Sequence, residues 1–182
     1  MKKALSLLFT VLLLADVALA SSVRKNAILA NVGTIMVGNY ELSYERSLSK
    51  HFSISTTLNY YEGRKALWRV FSYGYQIGAG ITPKVHVFGQ AHKNSFYLAP
   101  SLRMGYLEHP TYQNEEGDKG LLSRFGFNFG YGHVFDCGLM TDLMAGLEHY
   151  HTFSFSKPAT PRQSEGGILI RPYFAVGLGY AF

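Results

Sequence analysis

Residues 146–155 read GLEHYHTFSF and gather an acid, two imidazoles and hydroxyls into one short stretch. If that stretch is extended, side chains alternate, so Glu148 and Tyr150 share one face while His149 and His151 share the other. The two histidines are spaced to meet one metal, but a zinc-type site takes three or four ligands and no third is evident. A polar rim at an interface is the second reading of the pair. His51, His86, His92, His109 and His133 are scattered, and the chain has no glycine-rich phosphate loop, no paired-cysteine site and no nucleophile elbow. The expectation is therefore no metal and no cofactor.

A second set is spread along the chain. Glu41, Glu45, Arg103, Arg124, Asp142, Glu148 and Arg171 each fall on the small-residue side of an alternating segment, and their charges nearly cancel. Charges on one shared face must be paired or hydrated, because desolvating them singly is expensive. Two roles fit such a set, a packed plug of salt bridges or the constriction of a pore.

Both sets need strands to position them. Tyr 13, Phe 13 and Gly 19 stand out in the composition, and no apolar stripe of helical period runs through the chain. Alternation and turn residues predict about eight strands, at 26–35, 40–46, 51–61, 70–85 (ending near Pro83), 96–109, 121–133, 138–155 and 168–182. The stretches 62–69, 110–120 (PTYQNEEGDKG) and 157–167 read as the longer, polar loops.

The faces of those strands decide between a sandwich and a barrel. Phe125, Phe127, Phe129 and Tyr131 alternate with Arg124, Gly126, Asn128, Gly130 and Gly132. In a sandwich the face opposite the core meets water and carries many lysines and glutamates, whereas here it carries glycine, serine, alanine and isolated charges. A narrow closed barrel accounts for both faces, with lipid against the bulky side chains and a crowded interior of small and polar ones. The fold class read from the sequence is thus all-β, a transmembrane antiparallel up-and-down β-barrel, with aromatics such as Tyr60, Tyr61, Tyr75, Tyr106, Tyr131 and Tyr180 near its rims.

Residues 1–20, MKKALSLLFTVLLLADVALA, read as a secretory signal peptide cleaved after Ala20, leaving one barrel domain over 21–182. The formal charge of +5 is scattered, and on a secreted chain it does not point to nucleic acid. The lone cysteine, Cys137, excludes an internal disulfide.

With its leader, its alternating strands and its ending Gly177-Leu178-Gly179-Tyr180-Ala181-Phe182, the chain resembles the small Gram-negative outer-membrane barrels of the OmpA and OmpX type. The segment Gly38 to Arg46, with Tyr44-Glu45-Arg46, is also similar to uncharacterised barrel families carrying Tyr-Glu-Arg near the start. The resemblance implies the cell outer membrane, and Tyr180 and Phe182 as the signal read by the outer-membrane assembly machinery. It also implies outer-membrane lipid, lipopolysaccharide and periplasmic chaperones as partners. It implies a structural, non-enzymatic barrel with surface loops, serving adhesion or envelope integrity.

Two alternatives stand beside that reading. One is a small pore or transport barrel. The other is an esterase similar to the outer-membrane lipid A deacylases, which would place its chemistry on His151, on Ser154 or Ser156, and on Glu148. The His-x-Ser-Asn arrangement of that family is not reproduced, since Thr152 and Phe153 follow His151, and alternation turns Glu148 away from it.

Overall fold

The computed structural model describes residues 24–35, 38–62, 75–111, 114–154 and 169–182. Among these, eight strands close into one antiparallel barrel in sequence order. They are β1 (Asn26–Asn31), β2 (Asn39–Ser49), β3 (Phe52–Glu62), β4 (Tyr75–Gly89), β5 (Ser95–Thr111), β6 (Asn114–Val134), β7 (Leu139–Ser154) and β8 (Leu169–Ala181). The expected leader and its cleavage point lie outside the described residues, as do the expected loop at 157–167 and most of that at 62–69.

Each strand turns its bulky apolar side chains outward. Leu58 is 65% exposed, Phe129 61% and Phe174 70%, and similar residues project from every strand. Small and polar residues point into the lumen, where Ser53, Ser55, Thr57 and Asn59 of β3 and Ser95, Tyr97, Ala99, Ser101 and Arg103 of β5 are buried. The conventional arrangement of a soluble domain is inverted, and among the described residues an apolar cluster is found inside at Ala27, Leu29, Met140 and Ala181.

Interior glycines make room for long neighbours. A β-carbon on Gly130 would overlap the ring of Tyr97 on the adjacent strand, whereas one on Gly132 meets nothing closer than 3.6 Å, at Asp142. Prolines are placed where a missing N–H does least harm. Pro83 pairs with Ile54 of β3 and Pro100 with Phe127 of β6, and both lie in the interval where the β4–β5 ladder is interrupted, between Ile81↔Leu102 and Val85↔Leu98. The fourth strand therefore does not end near Pro83 but continues to Gly89, with a bulge between His86 and Phe88.

Two further expectations are corrected. Residues 110–120 are not a polar loop: β5 runs to Thr111, β6 begins at Asn114, and the pairs Glu108↔Lys119 and His109↔Asp118 carry the hairpin through the polar segment. The first strand is shorter than the expected 26–35 and ends at Asn31, where the chain turns toward Gly38, at positive φ.

That early end leaves a notch in the wall. β1 pairs with β8 from Ala27↔Ala181 to Asn31↔Gly177, and Val32 and Gly33 add N–H bonds to the carbonyl of Val176. Above Val176, β8 continues to Leu169 with β7 on one side and, among the described residues, no strand paired on the other, an edge of roughly 20 Å at strand rise. Phe182 and Val176 both bond toward β1, so Phe174, Pro172 and Ile170 direct their backbone groups to the same edge. Pro172 has no N–H to leave unpaired there.

Gly130→Ala is expected to lower the unfolding free energy of the refolded protein by about 1–3 kcal/mol through overpacking against Tyr97. Gly132→Ala, with open space around it, is expected to leave it within about 0.5 kcal/mol. Equilibrium urea unfolding followed by far-ultraviolet circular dichroism checks the pair, and equal losses would refute the packing account.

Candidate functional site: a polar lumen in two layers

The lumen is polar because period-two alternation delivers one side chain in two from each strand into a space too narrow for bulk water. Its charged groups sort into two layers. The layer nearer the chain termini centres on Lys84 of β4, whose Nζ lies 2.7 Å from Glu45 of β2 and 3.0 Å from Asp142 of β7. The Tyr97 hydroxyl donates to Asp142 at 2.7 Å, and the Lys84 ammonium stands 4.4 Å from the Tyr97 ring. Ser53 donates to Glu45 at 2.8 Å and also lies 2.9 Å from Nε2 of His86, whose Nδ1 is 2.8 Å from Ser95. His92, from the β4–β5 turn, brings Nε2 to 3.4 Å from Glu45. Glu45 is fully buried, which such a ring of donors makes tolerable.

The second layer, toward the opposite end, centres on Glu41. Its carboxylate accepts from Arg103 of β5 at 2.9 Å, from Asn31 of β1 and Asn39 of β2 at 2.9 Å each, and from the Tyr173 hydroxyl of β8 at 3.2 Å. Arg103 donates in turn to Tyr173 at 2.8 Å, and its Nε lies 3.8 Å from the fully buried Glu148. Tyr150 donates to Glu148 at 3.2 Å. Arg124 donates to the side-chain carbonyl of Gln76 at 2.6 Å, and the guanidinium groups of Arg124 and Arg171 each lie 5.4 Å from the Tyr150 ring. Between the layers a space of about 40 Å³, bordered by Glu41, Lys84, Arg103, Asp142 and Tyr173, has room for a few waters.

The structure thus places Glu41, Glu45, Arg103, Arg124, Asp142 and Glu148 in the lumen, buried, while Arg171 lies at its mouth and is exposed. Lys84, the central cation of the first layer, is absent from the sequence-derived set. Its parity with Gly78, Gly80 and Thr82 marks it as inward, but only if the strand passes Pro83. Tyr97 and Tyr173 are the other additions, and their hydroxyls are partners that alternation alone does not pair.

The residues considered for ester hydrolysis are not brought together. Glu148 is inside the barrel, His151 is exposed on its outer face with its ring 4.2 Å from Phe153, and β7 lies between them. Ser154 pairs in register with Gly120 at the end of β7, and Ser156 lies outside the described residues. His149 shares the outer face with His151, and among the described residues no group of three His, Cys, Asp or Glu is placed to hold a metal ion. Cys137 is exposed in the β6–β7 turn. At the end of the chain, Phe182 exchanges backbone hydrogen bonds with Asn26 at 2.8 and 2.9 Å and closes the barrel, while Tyr180 pairs with Ile28.

Replacing Lys84 by Met is expected to destabilise the barrel by about 3–5 kcal/mol, because it leaves Glu45 and Asp142 buried without their shared cation. The triple variant Lys84→Met, Glu45→Gln, Asp142→Asn is expected to recover most of that loss in the same urea titration. A Lys84→Met protein as stable as wild type would refute the pairing.

No family model, curated protein or solved structure matches the chain, so what is shown of its kinship is the architecture itself, a closed eight-stranded antiparallel β-barrel.

Proposed function

We propose that the protein is an outer-membrane β-barrel with a structural, non-enzymatic role, crossing the bilayer on its eight strands and presenting its inter-strand segments at the cell surface for adhesion or envelope integrity. The observation that carries this reading is the inverted distribution of side chains. Large apolar residues are exposed on the outer face of all eight strands, and carboxylates, guanidinium groups and an ammonium are buried within. In water such a surface would be a continuous aggregation hazard, far beyond the patches of ordinary monomers. In hydrocarbon it is the favoured face, and closure of the sheet satisfies the backbone. The leader-like residues 1–20 support delivery across the inner membrane, with periplasmic chaperones and the assembly machinery as transient partners. Lipid and lipopolysaccharide are the standing neighbours of the outer face.

The ion pairs of Lys84 and Arg103 across the lumen support a filled barrel over the pore alternative. The separation of His151 from Glu148 by the barrel wall supports a non-enzymatic role over the esterase alternative.

Three outcomes follow for the native protein. It is expected to sediment with outer membranes on fractionation of its host, and recovery mainly as soluble periplasmic protein would overturn the assignment. In planar bilayers the refolded protein is expected to be silent, and reproducible single-channel steps abolished by Arg103→Ala would favour the transport alternative. Phe182→Asp is expected to cut the yield of heat-modifiable folded barrel several-fold more than Gln113→Asp in the β5–β6 link, because only the former loads a charge onto the closing strand. Equal yields would remove Phe182 from assembly.

A further inference from the structure

The second layer sets two buried guanidinium groups, Arg103 and Arg124, against two buried carboxylates, Glu41 and Glu148, and Arg171 adds an exposed positive charge at its mouth. Arg103 engages both carboxylates. Arg124 is 8% exposed, and its Nε has no hydrogen-bond partner. Among the described residues neither Arg124 nor Arg171 has a carboxylate within ion-pair distance; their partners are Gln76 and the face of Tyr150. In register Arg124 also lies directly opposite Arg103, a like-charge pair that costs stability on a sheet. The buried guanidinium of Arg124 is thus left without a carboxylate of its own, a cost that an anion shared with Arg171 offsets.

The position of the pair says what kind of anion. Arg124, Tyr150 and Leu169 are consecutive partners across β6, β7 and β8, and Glu148 pairs with Arg171 one step along. Arg171 therefore stands on the upper part of β8 and Arg124 on β6, with Tyr150 of β7 between them, and the other side of β8 is the edge above Val176. Inward of that edge stand Arg171 and Tyr173. Outward of it stand Ile170 at 58% and Phe174 at 70% exposure. A charged recess and an apolar wall thus meet across a single strand that, among the described residues, has no strand paired to its other edge.

We propose that this notch binds the anionic headgroup of an amphiphile: a phosphate monoester or similar group held by Arg124 and Arg171 over Tyr150, with its alkyl chain leaving across the β8 edge onto Ile170 and Phe174. Guanidinium groups suit the head, since they bind phosphate oxygens through forked N–H donors. The apolar outer face suits the tail, and an amphiphile lying over the edge shields backbone groups that hydrocarbon alone leaves unpaired. The tail's side of the site rests on the membrane reading above.

Dodecyl phosphate and inorganic phosphate, titrated separately into the full-length protein refolded in dodecyl maltoside and followed by isothermal calorimetry, test the proposal. Dodecyl phosphate is expected to bind at one site at least tenfold more tightly than inorganic phosphate. Arg171→Gln and Arg124→Gln are each expected to weaken it tenfold or more, and Lys50→Gln on the β2–β3 turn to leave it unchanged. Arg171 is exposed, so its variant stays informative if Arg124→Gln does not fold. Equal affinity for the two phosphates would overturn the tail's part in the site, and equal affinity of wild type and Arg171→Gln would overturn the site altogether. A protein that fractionates with outer membranes yet fails these titrations loses the site and keeps its membrane assignment.

Discussion

The carboxylate of Glu41 accepts hydrogen bonds from β1, β2, β5 and β8, and Lys84 on β4 joins β2 to β7 through Glu45 and Asp142. The contacts of Glu41 with β5 and β8, and those of Lys84 with β2 and β7, run across the barrel rather than along its wall. An eight-stranded lumen hydrates a charge poorly, so Glu41, Glu45, Asp142, Lys84 and Arg103 find opposite charges on distant strands. That requirement couples strands that share no ladder, and it makes the barrel a unit instead of a rolled sheet. It also weighs most where the ladder is weakest: Glu41, Asn31 and Tyr173 meet at the β1–β8 seam, where only a short strand completes the wall.

Small residues in the lumen follow from the same constraint. Tyr97 reaches Asp142 because Gly130 lies in its path without a side chain, and the stem of Glu148 passes 2.9 Å from where a β-carbon on Gly126 would sit. Long polar residues and glycines are therefore one design, in which each gap is filled by a neighbour's functional group. The outer face has no such exactness. Phe125, Phe127 and Phe129 remain more than half exposed, as suits a liquid solvent such as lipid tails.

Alternation made most of this visible before any coordinates, because a strand's period is strict: the Phe125 to Tyr131 run and the segregation of Glu148 from His151 need only parity. What alternation does not hold is stagger. Whether Glu41 meets Arg103 or Arg124 depends on the relative slide of strands far apart in sequence, and no local pattern records it. Composition misled at two points. Pro83 reads as a strand end, yet its missing donor lies where the β4–β5 ladder is interrupted around Pro100. Asn114 to Gly120 reads as a loop because it is polar, although a hairpin needs only backbone partners and no apolar face to continue. The short β1, and with it the notch beside β8, has no signal in residue types, since 26–35 alternates well enough to have gone on.

The central claim is that lipid surrounds the apolar wall while the lumen stays closed to it. Single tryptophans substituted at Leu58 and at Phe129, in a protein whose own Trp68 is replaced by Phe, report on the outer face of two different strands. In vesicles of brominated lipid both are expected to lose most of their fluorescence, whereas a tryptophan at the inward Ala99 keeps its own, and aqueous acrylamide is expected to quench none of the three strongly. Acrylamide quenching at Leu58 and Phe129 without an effect of brominated lipid would contradict the account.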